Sequence, residues 1–220
     1  MTKRTKGTYH LISLGCPKNL VDSESMAQLL NLQGLQPVSI PENAEYLIVN
    51  TCGFLNAARE EAIAVLTDLA SEKMPWQKLI AAGCMTELHR DEILNTVPGM
   101  DGLIGTRRWM DIMDVIQETD QERREIPYAH FPSAATVGMD EKGTHRAAVQ
   151  GGSAYLKIAE GCRRACAYCL IPLIKGTLVS LPVEKIVADA KALRDEGVKE
   201  IILIEQDIAK FSHHLHIKHG

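Results

Sequence analysis

The chain has 220 residues, 24 basic and 28 acidic side chains for a formal charge of −4, and 45% hydrophobic residues. That hydrophobic share supports a packed core and excludes a disordered chain. The slight acidic excess gives no electrostatic case for direct nucleic-acid binding. No run approaches the length of a membrane span, and no signal-peptide core follows the basic start, which places the expectation in the cytoplasm. In that reducing compartment six cysteines argue for metal ligation or catalysis rather than disulfides.

The first 118 residues repeat one theme. Tyr9 to Leu14 is a short apolar strand ending in Gly15-Cys16. A helix is expected from about Val21 to Gln33, with Met26, Leu29 and Leu30 at helical spacing and Gly34 as its stop. Tyr46 to Val49 is a second strand, followed by Asn50-Thr51-Cys52-Gly53, and Asn56 is placed to cap the next helix. Leu79 to Ala82 is a third strand ending in Gly83-Cys84, with Thr86 placed to cap a shorter helix that stops before Pro98. Gly102 to Gly105 and a helix from about Trp109 to Ile116 complete the region. Strand and helix in alternation with short connections predict an open α/β domain on a parallel sheet, over residues 8–118.

Residues 119–153 are polar and turn-rich and read as a linker or surface excursion. A second α/β unit, residues 154–220, begins with the strand Tyr155 to Ala159. Pro182 suits the first turn of a helix whose buried face is Ile186, Val187, Ala190 and Leu193. Glu200 to Ile204 is the next strand. One βα unit and one further strand do not close a barrel, so the chain reads as C-terminally truncated.

The segment GCRRACAYC sets Cys162, Cys166 and Cys169 at CxxxCxxC spacing. Three thiolates in one loop can hold a [4Fe–4S] cluster and leave one iron open to a small molecule. Structural zinc is the alternative, and it needs four ligands, usually as two pairs. Cys16, Cys52 and Cys84 lie 36 and 32 residues apart, yet each follows a strand and adjoins a glycine. In a parallel sheet such ends share one edge, so a second three-thiol site is expected there, with glycines letting backbone approach a cluster. The alternative is three small buried residues at strand ends.

The segment YLKIAEGCRRACAYC resembles the cluster loop of radical S-adenosylmethionine (SAM) enzymes. SLGCPKNLVDSE, VNTCGF and AAGCM resemble, in order and spacing, the N-terminal domain of the radical SAM methylthiotransferases. Within that family CPKNLVDSE is similar to the RimO type, with Lys18 and Asn19 as the discriminating positions against the tRNA-modifying MiaB type. The resemblance implies an N-terminal α/β domain followed by the start of a partial TIM-like radical SAM barrel. It implies two [4Fe–4S] clusters, on Cys16, Cys52 and Cys84 and on Cys162, Cys166 and Cys169. It implies SAM on the open iron of the second cluster, with Tyr168 near its adenine and Gln206 and Asp207 lining the pocket. The implied activity is methylthiolation of the β-carbon of an aspartate in a small-subunit ribosomal protein. The implied partners are that protein or the ribosome and an electron donor. Methylthiolation of tRNA adenosine and an inactive iron–sulfur fragment are the other readings.

Two departures stand out. The family continues after the third cysteine with IPxIRGxxRSR, whereas this chain has Lys175, Val179 and Leu181 at the three arginine positions. After Asp207 the resemblance ends, and the tail carries His213, His214, His216 and His219, which reads as a divergent end rather than a metal site.

Overall fold

The computed structural model describes residues 6–121, 126–132 and 142–211. The four tail histidines lie outside the described residues. The elements in chain order are β1 (Thr8–Ser13), α1 (Pro17–Leu32), β2 (Gln36–Pro37), β3 (Tyr46–Thr51), α2 (Asn56–Glu72), β4 (Lys78–Gly83), α3 (Cys84–Leu88) and α4 (Arg90–Thr96). They continue with β5 (Gly102–Gly105), α5 (Ile112–Asp120), β6 (Tyr128–His130), β7 (Ala147–Gln150), β8 (Ser153–Lys157) and β9 (Ala159–Glu160). Last come α6 (Ile171–Lys175), β10 (Val179–Ser180), α7 (Val183–Asp195) and β11 (Glu200–Ile204).

β1 to β6 form one sheet, in the order β2-β1-β3-β4-β5-β6, and every pairing in it is parallel. Alternation along the central strands explains the layers. Tyr46, Ile48, Ile80 and Ala82 face a core shared with α1 and α5. Leu47, Val49, Leu79 and Ala81 face a core shared with α2, Met85 and Ile93. Strands buried on both faces read as continuous apolar runs, which is why they were legible in sequence. The order reverses between β1 and β3, the switch point at which doubly wound sheets open a crevice beyond their strand ends.

Local sequence sets the differences from expectation. α1 starts at Pro17, not near Val21, because proline's fixed φ suits the first helical position and Cys16 precedes it in extended conformation. Asn56 does not cap α2. It is the first helical residue, and Leu55 stands at the cap without a side-chain bond. The helix expected after Thr86 is two, α3 and α4, broken at His89 (φ −125°, ψ 30°), with Thr86 inside α3 bonding back to the Gly83 and Ile104 carbonyls. The helix expected from Trp109 begins as a 3₁₀ segment, Thr106–Asp111, before α5.

The polar segment after residue 118 supplies a strand to each of two sheets. β6 extends the large sheet beside β5, and β7 pairs antiparallel with β8. β8, α7 and β11 form the expected βαβ unit, with β11 parallel to β8. Leu156, Ile158, Leu193 and Val198 pack as its core. Among the described residues no helix is long and apolar enough to cross a membrane.

Candidate functional site

The C-terminal edge of the large sheet gathers the first cysteine set. Cys16 sits at the N-terminus of the 16-residue α1, Cys52 follows β3, and Cys84 opens α3 directly after β4. Cys16 and Cys52 therefore flank the switch point. All six cysteines are free thiols; Cys52 is buried, Cys16 and Cys166 are exposed, and the others lie between. Burial pushes the Cys84 thiol up to about 11, opposed by the nearby Lys175 ammonium and reinforced by Asp22, Cys52 and Cys16.

The glycines beside them let neighbouring strand ends close on one another. Gly15 has φ +91°, and a Cβ there would fall 2.4 Å from the Cys52 Cβ. Gly83 has φ +101°, and its Cβ would fall 2.4 Å from both Asn50 Oδ1 and the Thr51 carbonyl. Each glycine lets one strand end close on its neighbour, in a left-handed conformation that other residues adopt only with strain.

Asn19 holds these ends together. Its Nδ2 donates to the Leu14 carbonyl (2.8 Å) and to the Asn50 (3.2 Å) and Thr51 (3.0 Å) carbonyls. The Asn50 Nδ2 returns a bond to the Asn19 carbonyl (2.9 Å) and another to Ser23 Oγ (2.9 Å). Cys84 Sγ lies 3.9 Å from Asn19 Oδ1. The Asn19 side chain, noted in the sequence for its type alone, is a buried cross-brace between the ends of β1 and β3.

The second set lies on the loop after β9. The Cys162 N–H donates to the Gly176 carbonyl (3.0 Å) and the Cys169 N–H to the Cys166 carbonyl (3.0 Å), and the Arg164 N–H approaches Cys162 Sγ at 3.4 Å. From Cys169 the chain passes almost at once into α6, which packs against α3 and the 3₁₀ segment after β5. Arg107 fastens α6 from the large domain, its guanidinium donating to the Ile174 carbonyl (3.0 Å) and to the Leu173 carbonyl. Tyr168 is 87% exposed. Asp207 pairs with Arg164 of the cysteine loop, and this bond holds its carboxyl below the ordinary range. Gln206 is half-buried beside it. Among the described residues no three His, Cys, Asp or Glu side chains stand together as ligands of a single ion.

A buried charge network between the two cysteine sites went unread in the sequence. Asp22 of α1 accepts from Arg146 Nη2 (2.5 Å), Lys157 Nζ (2.8 Å) and Lys175 Nζ (3.1 Å). Glu160 pairs with Lys157, lies 3.3 Å from Lys175 Nζ and 3.6 Å from Arg146 Nη2. Lys175 also donates to Thr106 Oγ1 (2.6 Å), and the Arg146 guanidinium stacks 4.2 Å over the Trp109 ring. All five ionisable residues are buried. Burial alone would raise the Asp22 carboxyl, but Lys157, Lys175 and Arg146 outweigh it and hold it well below the carboxylate range. Burial would likewise lower Lys175, and Asp22, Cys84 and Glu160 raise it well above the usual lysine value. The signal in the sequence was a lysine inside each of two apolar runs, YLKIA and LIPLIKG.

The departures from the family pattern resolve within this geometry. Lys175 is a buried member of the network. Leu181 is buried and its N–H donates to the Ile158 carbonyl (2.8 Å), and Val179 pairs with Glu160 across β9 and β10.

Three strand ends of the parallel sheet are thus each followed by a cysteine, and the helix after the three-cysteine loop packs against α3 beside them. Residues 8–105 match the family model described as Uncharacterized protein family UPF0004. Curated relatives are similar over most of this chain. The chain is 41% identical over 96% of its length to "Ribosomal protein uS12 methylthiotransferase RimO" of Roseiflexus sp. (strain RS-1), covering 48% of that protein. It is 42% identical over 96% of its length to the protein of that name from Chloroflexus aurantiacus, covering 49% of it. To the Protochlamydia amoebophila protein of that name it is 40% identical over 92% of its length, covering 41%. The chain is similar to proteins of that name and spans about half the length of the curated relatives it matches.

Proposed function

We propose that this chain is the cluster-bearing half of a methylthiotransferase that modifies an aspartate β-carbon in a small-subunit ribosomal protein, in the cytoplasm. The observation that supports the reading is the placement of Cys16, Cys52 and Cys84 just after β1, β3 and β4, at one edge of the parallel sheet, with α6, which follows the second cysteine loop, packed on α3. We read residues 8–118 as the domain of the first cluster and 154–220 as the beginning of a SAM-binding barrel, joined by 119–153.

The donor set fits two [4Fe–4S] clusters. Each trio consists of free thiols, each thiolate would take a different iron, and the fourth iron would stay open. Structural zinc instead takes four ligands on one ion, usually as two pairs, whereas each set here is a trio. When bound, the clusters and SAM supply an electron, a sulfur, a methyl group and hydrogen abstraction from an unactivated C–H bond.

The chain's own residues have simpler tasks. Cys16 stands immediately before α1, at the helix end that favours negative charge. Cys52 is sheltered from water by its burial. Tyr168, exposed beside Cys169, offers a ring face for an adenine, and Gln206 and Asp207 stand at the end of β11, where barrel enzymes carry their working groups. Arg164, held by Asp207, orients the loop between Cys162 and Cys166.

The test uses the gene in its own cell. Deletion should abolish the methylthio mark on the small-subunit ribosomal protein, seen by mass spectrometry, and leave the tRNA methylthio mark in place. Loss of the tRNA mark alone would overturn the assignment.

A further inference from the structure

We infer that Lys175 is the internal counter-charge of the first cysteine site, setting the reduction potential of its cluster, rather than a group that touches SAM or substrate. The inference deepens the reading above and rests on a cluster at Cys16, Cys52 and Cys84.

Its position is the first argument. Lys175 ends α6, the helix that leaves the second cysteine loop, and the adjoining Gly176 carbonyl receives the Cys162 N–H at 3.0 Å. α6 packs on α3, which begins at Cys84. The ammonium turns inward to Asp22 Oδ2 (3.1 Å) and Thr106 Oγ1 (2.6 Å) and is buried, away from any surface that a ligand could reach.

Charge balance is the second. Arg146, Lys157 and Lys175 supply three buried positive charges against the two carboxylates of Asp22 and Glu160. An unbalanced buried charge is costly unless an opposite charge stands close by. A four-iron core held by three thiolates is net anionic, so a cation buried under the helix that Cys84 opens faces a charge of opposite sign. Cluster potentials follow local net charge, so a fixed cation here makes reduction easier, and Asp22 makes it harder.

The opposed signs give the experiment. The full chain carrying Cys162→Ala, Cys166→Ala and Cys169→Ala loads only the first site. It is reconstituted with iron and sulfide without oxygen and titrated with dithionite, followed by electron paramagnetic resonance. Lys175→Met should shift the potential to more negative values, Asp22→Asn should shift it to more positive values, and Lys175→Arg should leave it where it was. If Lys175→Met does not fold, Lys175→Gln, which keeps an N–H donor for Thr106 Oγ1 without the charge, should shift the potential to more negative values in the same way. Unchanged potentials in cluster-loaded variants, or a shift of Asp22→Asn and Lys175→Met in the same direction, would overturn the inference and leave the cluster reading intact. A parent chain that takes up no cluster would instead overturn the reading itself, and the inference with it.

Discussion

Asp22→Asn tests the charge network most sharply. The wild-type carboxylate accepts hydrogen bonds from Arg146, Lys157 and Lys175 within a buried site. The amide keeps the shape, removes the negative charge, and turns an N–H₂ toward cations that need acceptors. Breaking a buried ion pair by removing one partner costs about 3–5 kcal/mol, and three cations lose their partner here. For a chain of this size each kcal/mol lowers the melting temperature by about 2–4 °C. A fall of roughly 6–20 °C is therefore expected for the metal-free, reduced chain, followed by circular dichroism. Asp195→Asn is the control, because the Arg194–Asp195 pair is about two-thirds exposed on both sides and such pairs contribute at most about 1 kcal/mol. An Asp22→Asn chain melting within about 2 °C of wild type would refute the claim that this network holds the two parts together.

Further expectations concern the same edge. Gly83→Ala should disrupt the first site, since its Cβ would meet backbone and Asn50 at 2.4 Å in a left-handed conformation; iron bound by the Cys162 site should survive while that of the first site is lost, as an iron assay would show. Asn19→Ala leaves three carbonyls short of a donor and should cost about 1–3 kcal/mol in urea unfolding. Asp22 and Asp111 both have carboxyls held below their ordinary range, Asp22 by three cations and Asp111 by Arg108 and His130, in each case against the opposing effect of burial. Depressed carboxylates contribute stability that is complete above their unfolded value near pH 4 and is lost as pH falls through the folded one. The melting temperature should therefore hold from pH 7 to about pH 5 and fall as the pH drops below about 4, and Asp22→Asn should flatten that acid limb.

The sheet and the first cysteine set were legible because both obey short-range rules. Apolar runs such as YLIV mark strands buried on both faces, and a cysteine placed just after each run must emerge at the same edge of a parallel sheet. The start of α1 was misplaced because the helical spacing of Met26 and Leu29 hid Pro17, whose own preference begins the helix. β6 and β7 were missed because their residues are mixed in polarity, and pairing with β5 and β8 makes them strands. The charge network was missed for a different reason. Lys175 and Asp22 lie 153 residues apart, and no periodicity links a lysine after an apolar run to an aspartate within a helix. Its effect on the site was hidden too, since Lys175 stood out only as a departure from an arginine.

The central claim is that two trios of thiols each hold four irons at one edge of the molecule. Iron and sulfide counted after oxygen-free reconstitution test it directly, in the wild type and in Cys84→Ala and Cys166→Ala. About eight of each per wild-type chain, falling to about four in either variant, is the expected outcome. A count that never exceeds four, or a single zinc in place of iron, would contradict it.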